Sequence, residues 1–139
     1  MFLIDTNVIS ELRNPRIADR SVLAWAERLH SGDWFLSAIT ILELERGALR
    51  ALRKDERKGV MLIGWLKNRI LPEFNGRILP VDLDVALRCA ALHVPDPKPE
   101  RDAMIAATGL VHGLTIVTRN VGDFASCGVP TLDPWAFQA

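Results

Sequence analysis

Tyrosine is absent from this 139-residue chain, and five Phe and four Trp bring the aromatic share to only 6%. A platform that stacks successive unpaired bases needs closely spaced rings. Trp25, Trp34, Trp65 and Trp135 therefore read as core or interface anchors. Cysteine is scarcer still. Cys89 and Cys127 form neither a CxxC pair nor a zinc spacing. They fit as two small apolar core residues in a reducing, cytosolic setting. Neither sign of charge is in excess: 17 basic and 17 acidic residues give a net charge of zero. That argues against a nucleic-acid coat protein, whose footprint is strongly basic, and leaves room for a local basic patch. No uncharged apolar stretch approaches the roughly 20 residues of a membrane span. No basic segment followed by a long apolar run marks a signal peptide. Internal repeats, low-complexity tracts and linkers are also missing.

What is present is globular. Hydrophobic residues make up 49% and charged residues 24%, the range of an ordinary folded domain. A chain of this length buries roughly 70% of its unfolded surface and needs no disulfide or metal to fold. One domain over residues 1–139 is expected.

The pattern along the chain alternates short apolar runs with helical stretches. "MFLID" reads as a strand buried on both faces, followed by a short helix "TNVISELRN" that stops near Asn14-Pro15. "IADRSVLAWAERLHSG" reads as a helix leaving at Ser31-Gly32, and "WFLS" as a second strand. "AITILELERGALRALRKDERKG" is a long helical stretch, with Ile41, Leu44, Ala48, Leu49 and Leu52 on one face. "VMLIGWLKNRILPEF" is a further helix ended by Pro72. "RILPVD" is a third strand, and "LDVALRCAALH" a helix capped by Asp82. "VPDPKPE" is a stiff extended loop. "RDAMIAATGLVHG" is an alanine-rich helix ending at Gly113, "LTIVT" a β-branched strand, "RNVGDFASCG" a turn and short helix, and "VPTLDPW" an edge-like strand between prolines. Strands alternating with helices predict an α/β domain of three layers: a parallel sheet of about five short strands with helices on both faces.

In such a sheet, ligands bind beyond the carboxyl ends of the strands. Four acids stand where a strand hands over to a helix or just after: Asp5, Glu43, Asp102 and Asp123. Each has a local explanation. Asp5 would cap the first helix, Thr40 and Glu43 match a capping box, Asp102 suits the positive end of its helix, and Asp123 would cap "FAS". Together they imply more. Clustered carboxylates raise one another's pKa and destabilise a fold unless a cation neutralises them. Mg2+ or Mn2+ does so while keeping waters for a substrate. Such an ion lowers the pKa of a bound water and clamps a phosphoryl oxygen, which is phosphodiester hydrolysis. His30, His93 and His112 all fall at helix ends, where a cation suits the dipole, and read as structural.

"FLIDTNVISEL", "SAITILELERGA", "RDAMIAATGLVHGLTIVTRNVGDF" and "CGVPTLDPW" together resemble a PIN-domain protein. More narrowly they resemble the ribonuclease toxins of VapBC toxin–antitoxin pairs, in their FitB-like branch. The resemblance runs nearly end to end and implies a three-layer PIN-like fold with a Mg2+- or Mn2+-dependent endoribonuclease activity. Asp5, Glu43, Asp102 and Asp123 fall on the family's acidic positions, Thr6 and Asn7 on the polar residues after the first acid, and Thr118 and Asn120 on its "TRN". Metal chemistry then assigns roles. Asp5 and Asp102 would bind the ion, Glu43 and Asp123 the ion or its waters, and Thr118 and Asn120 would orient carboxylates or a phosphate. The proline loop before Asp102 is a departure from the pattern, being stiffer. The resemblance also implies a VapB- or FitA-like antitoxin partner, a toxin homodimer and a higher assembly with the antitoxin.

RNA phosphates need cations. Arg46, Arg50 and Arg53, with Lys54 and Arg57, recur at roughly helical spacing behind Glu43. They read either as a phosphate track or as a solvated face partnered by Asp55 and Glu56. "VMLIGWLKNRIL" is apolar on more than one side, so it is either a deeply buried helix or a surface for a partner. A haloacid-dehalogenase-type phosphatase needs a second Asp where Asn7 stands. A receiver domain needs paired acids beside Asp5 and a Lys where Arg119 and Asn120 follow "TIVT". A catalytically silent PIN scaffold that binds RNA or protein is the remaining alternative. It would be expected to have lost an acid, and none is lost.

Overall fold

The computed structural model describes residues 1–138. Its strands are β1 (Phe2–Ile4), β2 (Trp34–Ser37), β3 (Ile78–Leu79), β4 (Thr115–Val117) and β5 (Thr131–Leu132). They form one parallel sheet in the order β3-β2-β1-β4-β5. The chain builds outward from β1 on one side and returns on the other, so the order reverses at β1. That reversal opens a crevice at the strands' carboxyl ends.

Adjacent residues of β1 and β4 face opposite layers. Ile4 and Val117 join Val8, Val22, Trp25 and Leu36 in one core, while Leu3 and Ile116 join Ile105, Ala106, Phe124 and Val129 in the other. Burial on both faces explains why these strands are unbroken apolar runs. Alanines carry α7 (Glu100–His112) in close: Ala103, Ala106 and Ala107 are fully buried. The helix ends at Gly113, whose φ of +66° suits a residue without a Cβ. A chain of rings anchors the first layer, with Phe2 edge-on to Trp25 at 5.4 Å and Trp25 beside Trp34 at 5.7 Å.

The helices depart from the sequence pattern in three places. α1 (Thr6–Leu12) follows β1 directly, but α2 (Arg20–Glu27) begins three residues later than Ile17. The cause is Asp19, whose carboxylate accepts from the N–H groups of Ser21 and Val22. The boundary between the two long helical stretches lies at Asp55 and not between Gly59 and Val60, giving α3 (Ala38–Lys54) and α4 (Glu56–Trp65). Asp55 sits between them in extended conformation, closing the first and capping the second through Lys58 N–H. α4 then loosens into a π-helical stretch, Leu66–Ile70, before the short α5 (Leu71–Glu73). On α3, Leu49 lies outside the buried face and is 48% exposed. α6 (Leu83–Leu92) starts at Asp82, which accepts from Val85 N–H. Residues Val121–Cys127 form a 3-10 helix. Cys89 and Cys127 are free and buried, and burial raises both thiols.

The corner at Asp55 folds α4 tightly back on α3. A Cβ built on Gly59 would overlap the backbone and Cβ of Leu52, whereas one on Gly47, midway along α3, meets nothing within 4 Å. Gly59→Ala is expected to lower the urea midpoint by an amount equivalent to about 1–3 kcal/mol or more. Gly47→Ala is expected to raise it by about 0.5–1 kcal/mol, because a helix-interior glycine costs that much against alanine. Shifts of the same sign in both would refute this reading of the corner.

Candidate functional site

The site starts from strand register. Ile4 pairs with Val117, so the next residues, Asp5 and Thr118, stand opposite one another as the strands end. Asp5 N–H donates to Val117 C=O at 2.9 Å and extends the ladder by one bond. Thr118 Oγ1 donates to Asp5 Oδ2 at 2.8 Å, and Thr6 N–H to Asp5 Oδ1 at 2.8 Å. Asp5 is therefore the cap of α1 and also the floor of the crevice. Asn7 bridges the same pair: its Nδ2 lies 3.4 Å from Asp5 Oδ2 and 3.3 Å from Thr118 Oγ1, and its Oδ1 accepts from Arg119 N–H. Asn120 joins through its backbone, whose N–H donates to Thr118 Oγ1 at 3.1 Å.

Glu43 arrives from α3. No capping box forms, because Ser37 is the cap, accepting from Ile39 N–H at 3.0 Å. Thr40 and Glu43 lie one turn apart and face α1 instead. Thr6 Oγ1 is 2.8 Å from Glu43 Oε1, as donor, and 3.4 Å from Thr40 Oγ1. Asp102 occupies the first turn of α7, and Asp123 the 3-10 helix after β4. Sequence reasoning passed over Arg101, and it gave Thr40 only a capping role. The Arg101 guanidinium lies 3.8 Å from Glu43 Oε2. A cation in the first turn of a helix works against its dipole, and that local conflict was the available signal.

The four acids share one field. Burial is the main reason that Asp5 is held above the ordinary carboxylate range. Its bonds to Thr118 and Thr6 oppose the shift, and the charges of Glu43 and Asp102 add to it. Asp102 is raised as well, first by burial, then by Asp123 and Glu43, with Arg101 opposing. Among the described residues, no three of His, Cys, Asp and Glu are grouped closely enough to enclose an ion by themselves. The donor set is nonetheless all oxygen and in excess of negative charge. Such a set fits a hard divalent cation that keeps several waters.

Arg50 and Arg53 line an open surface hollow of about 580 Å³ with Lys54, farther along α3; Arg46 is exposed and outside it. Asp55 serves as a helix cap, and among the described residues neither it nor Glu56 forms an ion pair with these cations. His93 accepts from Lys98 N–H at 3.0 Å and fastens the proline loop that leads into α7.

Two carboxyls that ionise less readily when folded bind more protons in the native state than in the unfolded chain. Stability then falls as pH rises through the interval between the ordinary value of 3.8 and the raised one. The Tm of the cation-free wild type is expected to drop relative to an Asp5→Asn/Asp102→Asn variant as pH rises from about 4. Parallel Tm–pH curves would show that neither group is raised.

Comparison with known proteins agrees with this architecture. A family model described as the PIN domain matches residues 2–126. The toxin FitB of Neisseria gonorrhoeae is 41% identical over 140 aligned positions, covering 97% of this chain and 99% of that protein. The VapC ribonuclease Y4jK of Sinorhizobium fredii is 36% identical, covering 97% and 98%. The crystal structure of FitAcB from Neisseria gonorrhoeae superposes with a TM-score of 0.89 at 39% identity, covering 99% of this chain and 100% of that one. With a parallel five-stranded sheet, a family match over most of its length and relatives alike from end to end, the chain belongs to the PIN-domain family.

Proposed function

We propose that this chain is a Mg2+- or Mn2+-dependent endoribonuclease, the toxin of a toxin–antitoxin pair. The observation that supports the reading is that acids from four separate segments act on one another, Glu43 and Asp102 on Asp5, and Asp123 and Glu43 on Asp102. Their mutual repulsion opposes folding without serving any packing purpose. The likeness to a toxin and to a VapC ribonuclease supports the same reading.

Asp5 and Asp102 would hold the cation, with Glu43 and Asp123 on the ion or on its waters. When bound, the cation supplies a water of lowered pKa and offsets charge on the phosphate. The protein's own contribution is positional. Thr118 and Asn7 fix the Asp5 carboxylate, and Thr6 fixes Glu43, as partners behind a ligand do. Arg101 neutralises part of the acidic field beside the place where a phosphate would enter. Arg50, Arg53 and Lys54 would receive the RNA backbone, with Arg46 on their flank. A homodimer restrained by an antitoxin completes the assembly. Val60 and Met61 on α4, 58% and 51% exposed, are apolar surface that a protein partner would cover.

Mn2+ titrated by calorimetry into the purified chain is expected to bind, and the Asp5→Asn/Asp102→Asn variant to lose that binding. Either single substitution should cut RNA hydrolysis by about a hundredfold or more, the scale of losing one group at a centre of developing charge. Asp123→Asn should cost less, about 10–100-fold, since an amide still bonds to a metal-bound water. RNA left intact by a folded, cation-loaded wild type would mean a silent binding scaffold and would overturn the nuclease reading.

Replacing Arg50 and Arg53 by Gln is expected to weaken RNA binding and to lower its salt slope by about one for each phosphate no longer neutralised. An unchanged slope would remove α3's basic side from the RNA path.

A further inference from the structure

An arginine is out of place in the first turn of a helix, where the dipole favours acids. Glu100 and Asp102 obey that preference in α7, and Arg101 between them does not. Its carboxylate partner lies on another helix. The Arg101 Nε stands 3.8 Å from Glu43 Oε2 on α3, and among the described residues the guanidinium enters no second ion pair. Its charge also reaches Asp102, where it opposes the burial and the neighbouring acids that raise that carboxyl. One guanidinium thus serves two of the acids proposed to hold the cation.

The contact with Glu43 is loose. At 3.8 Å it is well beyond the roughly 2.8 Å of a charge-assisted hydrogen bond, and the Arg101 side chain is 41% exposed. Glu43 does not depend on it, because its other oxygen, Oε1, accepts from the Thr6 hydroxyl at 2.8 Å. Other cations are placed differently. Arg119 follows Thr118 directly, but its guanidinium lies over the Trp135 ring, 5.0 Å from the centroid. Arg50, Arg53 and Lys54 lie farther along α3.

We infer that Arg101 is a catalytic residue that exchanges partners: it faces Glu43 while the site holds no cation, and it donates to a non-bridging oxygen of the scissile phosphodiester once the site is loaded. The inference rests on the nuclease reading for the reaction and adds the side chain that meets the phosphate. Glu43 and Asp102, once neutralised by a divalent cation, attract the guanidinium less, and a phosphate brings a new anion to the same place. The difference in attraction between the two states is what moves the side chain. A tight bidentate pair with Glu43 would have to be broken first; a long, half-exposed contact does not. The planar fork of donors matches two phosphate oxygens, which an ammonium does not. Arg101 stays protonated throughout and exchanges no proton. It acts by offsetting the charge that builds on the phosphate oxygens as the ester bond breaks.

The test compares Arg101→Gln and Arg101→Lys with wild type in two measurements. The first is Mn2+ binding by calorimetry without RNA. Arg101→Gln is expected to bind Mn2+ about three- to tenfold more tightly, because a like charge close to the ion is gone, and Arg101→Lys to bind it as wild type does. The second is cleavage of a degenerate pool of single-stranded RNA at saturating Mn2+ and RNA. Arg101→Gln is expected to turn over about a hundredfold or more slowly, and Arg101→Lys to recover part of that loss. Tighter metal with slower turnover is the signature of the exchange. An ion pair that only braces α3 against α7 gives neither effect. Mn2+ affinity that does not rise in Arg101→Gln, or turnover that does not fall, would overturn the inference. A wild type that binds Mn2+ but cuts no RNA would refute the nuclease reading instead. RNA affinity in Mn2+ then decides the contact: weakened binding by Arg101→Gln keeps Arg101 on the phosphate, and unchanged binding removes it.

Discussion

A carboxylate stripped of most of its water must be given donors, and Asp5 receives them from two ends of the chain: the Thr6 N–H beside it and the Thr118 hydroxyl across the β1–β4 register. An unsatisfied charge in that position would be costly enough to shift the strands or protonate the acid. Register, helix start and side-chain identity are therefore fixed together. A one-residue slip of β4 against β1 would carry Thr118 away from Asp5. It would also send Ile116 and Val117 to the wrong layers. The two apolar cores hold the register that the polar crevice uses.

The cap role of Asp5 and the metal-binding role proposed for it are compatible in one arrangement. A carboxylate capping a helix at the end of a central strand already points into the crevice where the strand order reverses. The same economy applies to Thr6, which belongs to the first turn of α1 and also holds Glu43. For Glu43 the local explanation fails. Ser37 takes the cap, so the glutamate is released toward α1 and Arg101.

Much of this was legible in the sequence, and the reasons are specific. β1, β2 and β4 announce themselves because buried parallel strands are unbroken apolar runs. α6 and α7 announce themselves through Asp82 and Gly113, residues with one mechanical use each. That two helices follow β2 was legible, but the place of their boundary at Asp55, ahead of Gly59, was not. "KDERKG" has good helix propensity, and what turns the chain is the room that Gly59 gives Leu52, a fit between two elements. Arg101 was missed for the same kind of reason: its partner Glu43 lies far away in sequence, on a helix whose orientation only the sheet determines. The exposed Val60 and Met61 agree with a helix too apolar on several sides to be served by one core.

The bond between Thr118 and Asp5 spans 113 positions of sequence, and this has a bearing on the order of events during synthesis. A chain leaving the ribosome presents Asp5 first and Asp123 nearly last. While the intervening segments emerge, the first acid has its helix cap and, once α3 is made, Glu43 for a neighbour, but neither its hydroxyl donor nor Asp102. Electrostatic repulsion at the crevice therefore builds in stages, and its last contributions, from Asp102 and Asp123, come only when both apolar layers can close. A nascent fragment lacking β4 accordingly leaves the Asp5 carboxylate without the Thr118 hydroxyl, the side-chain donor that opposes its raised pKa.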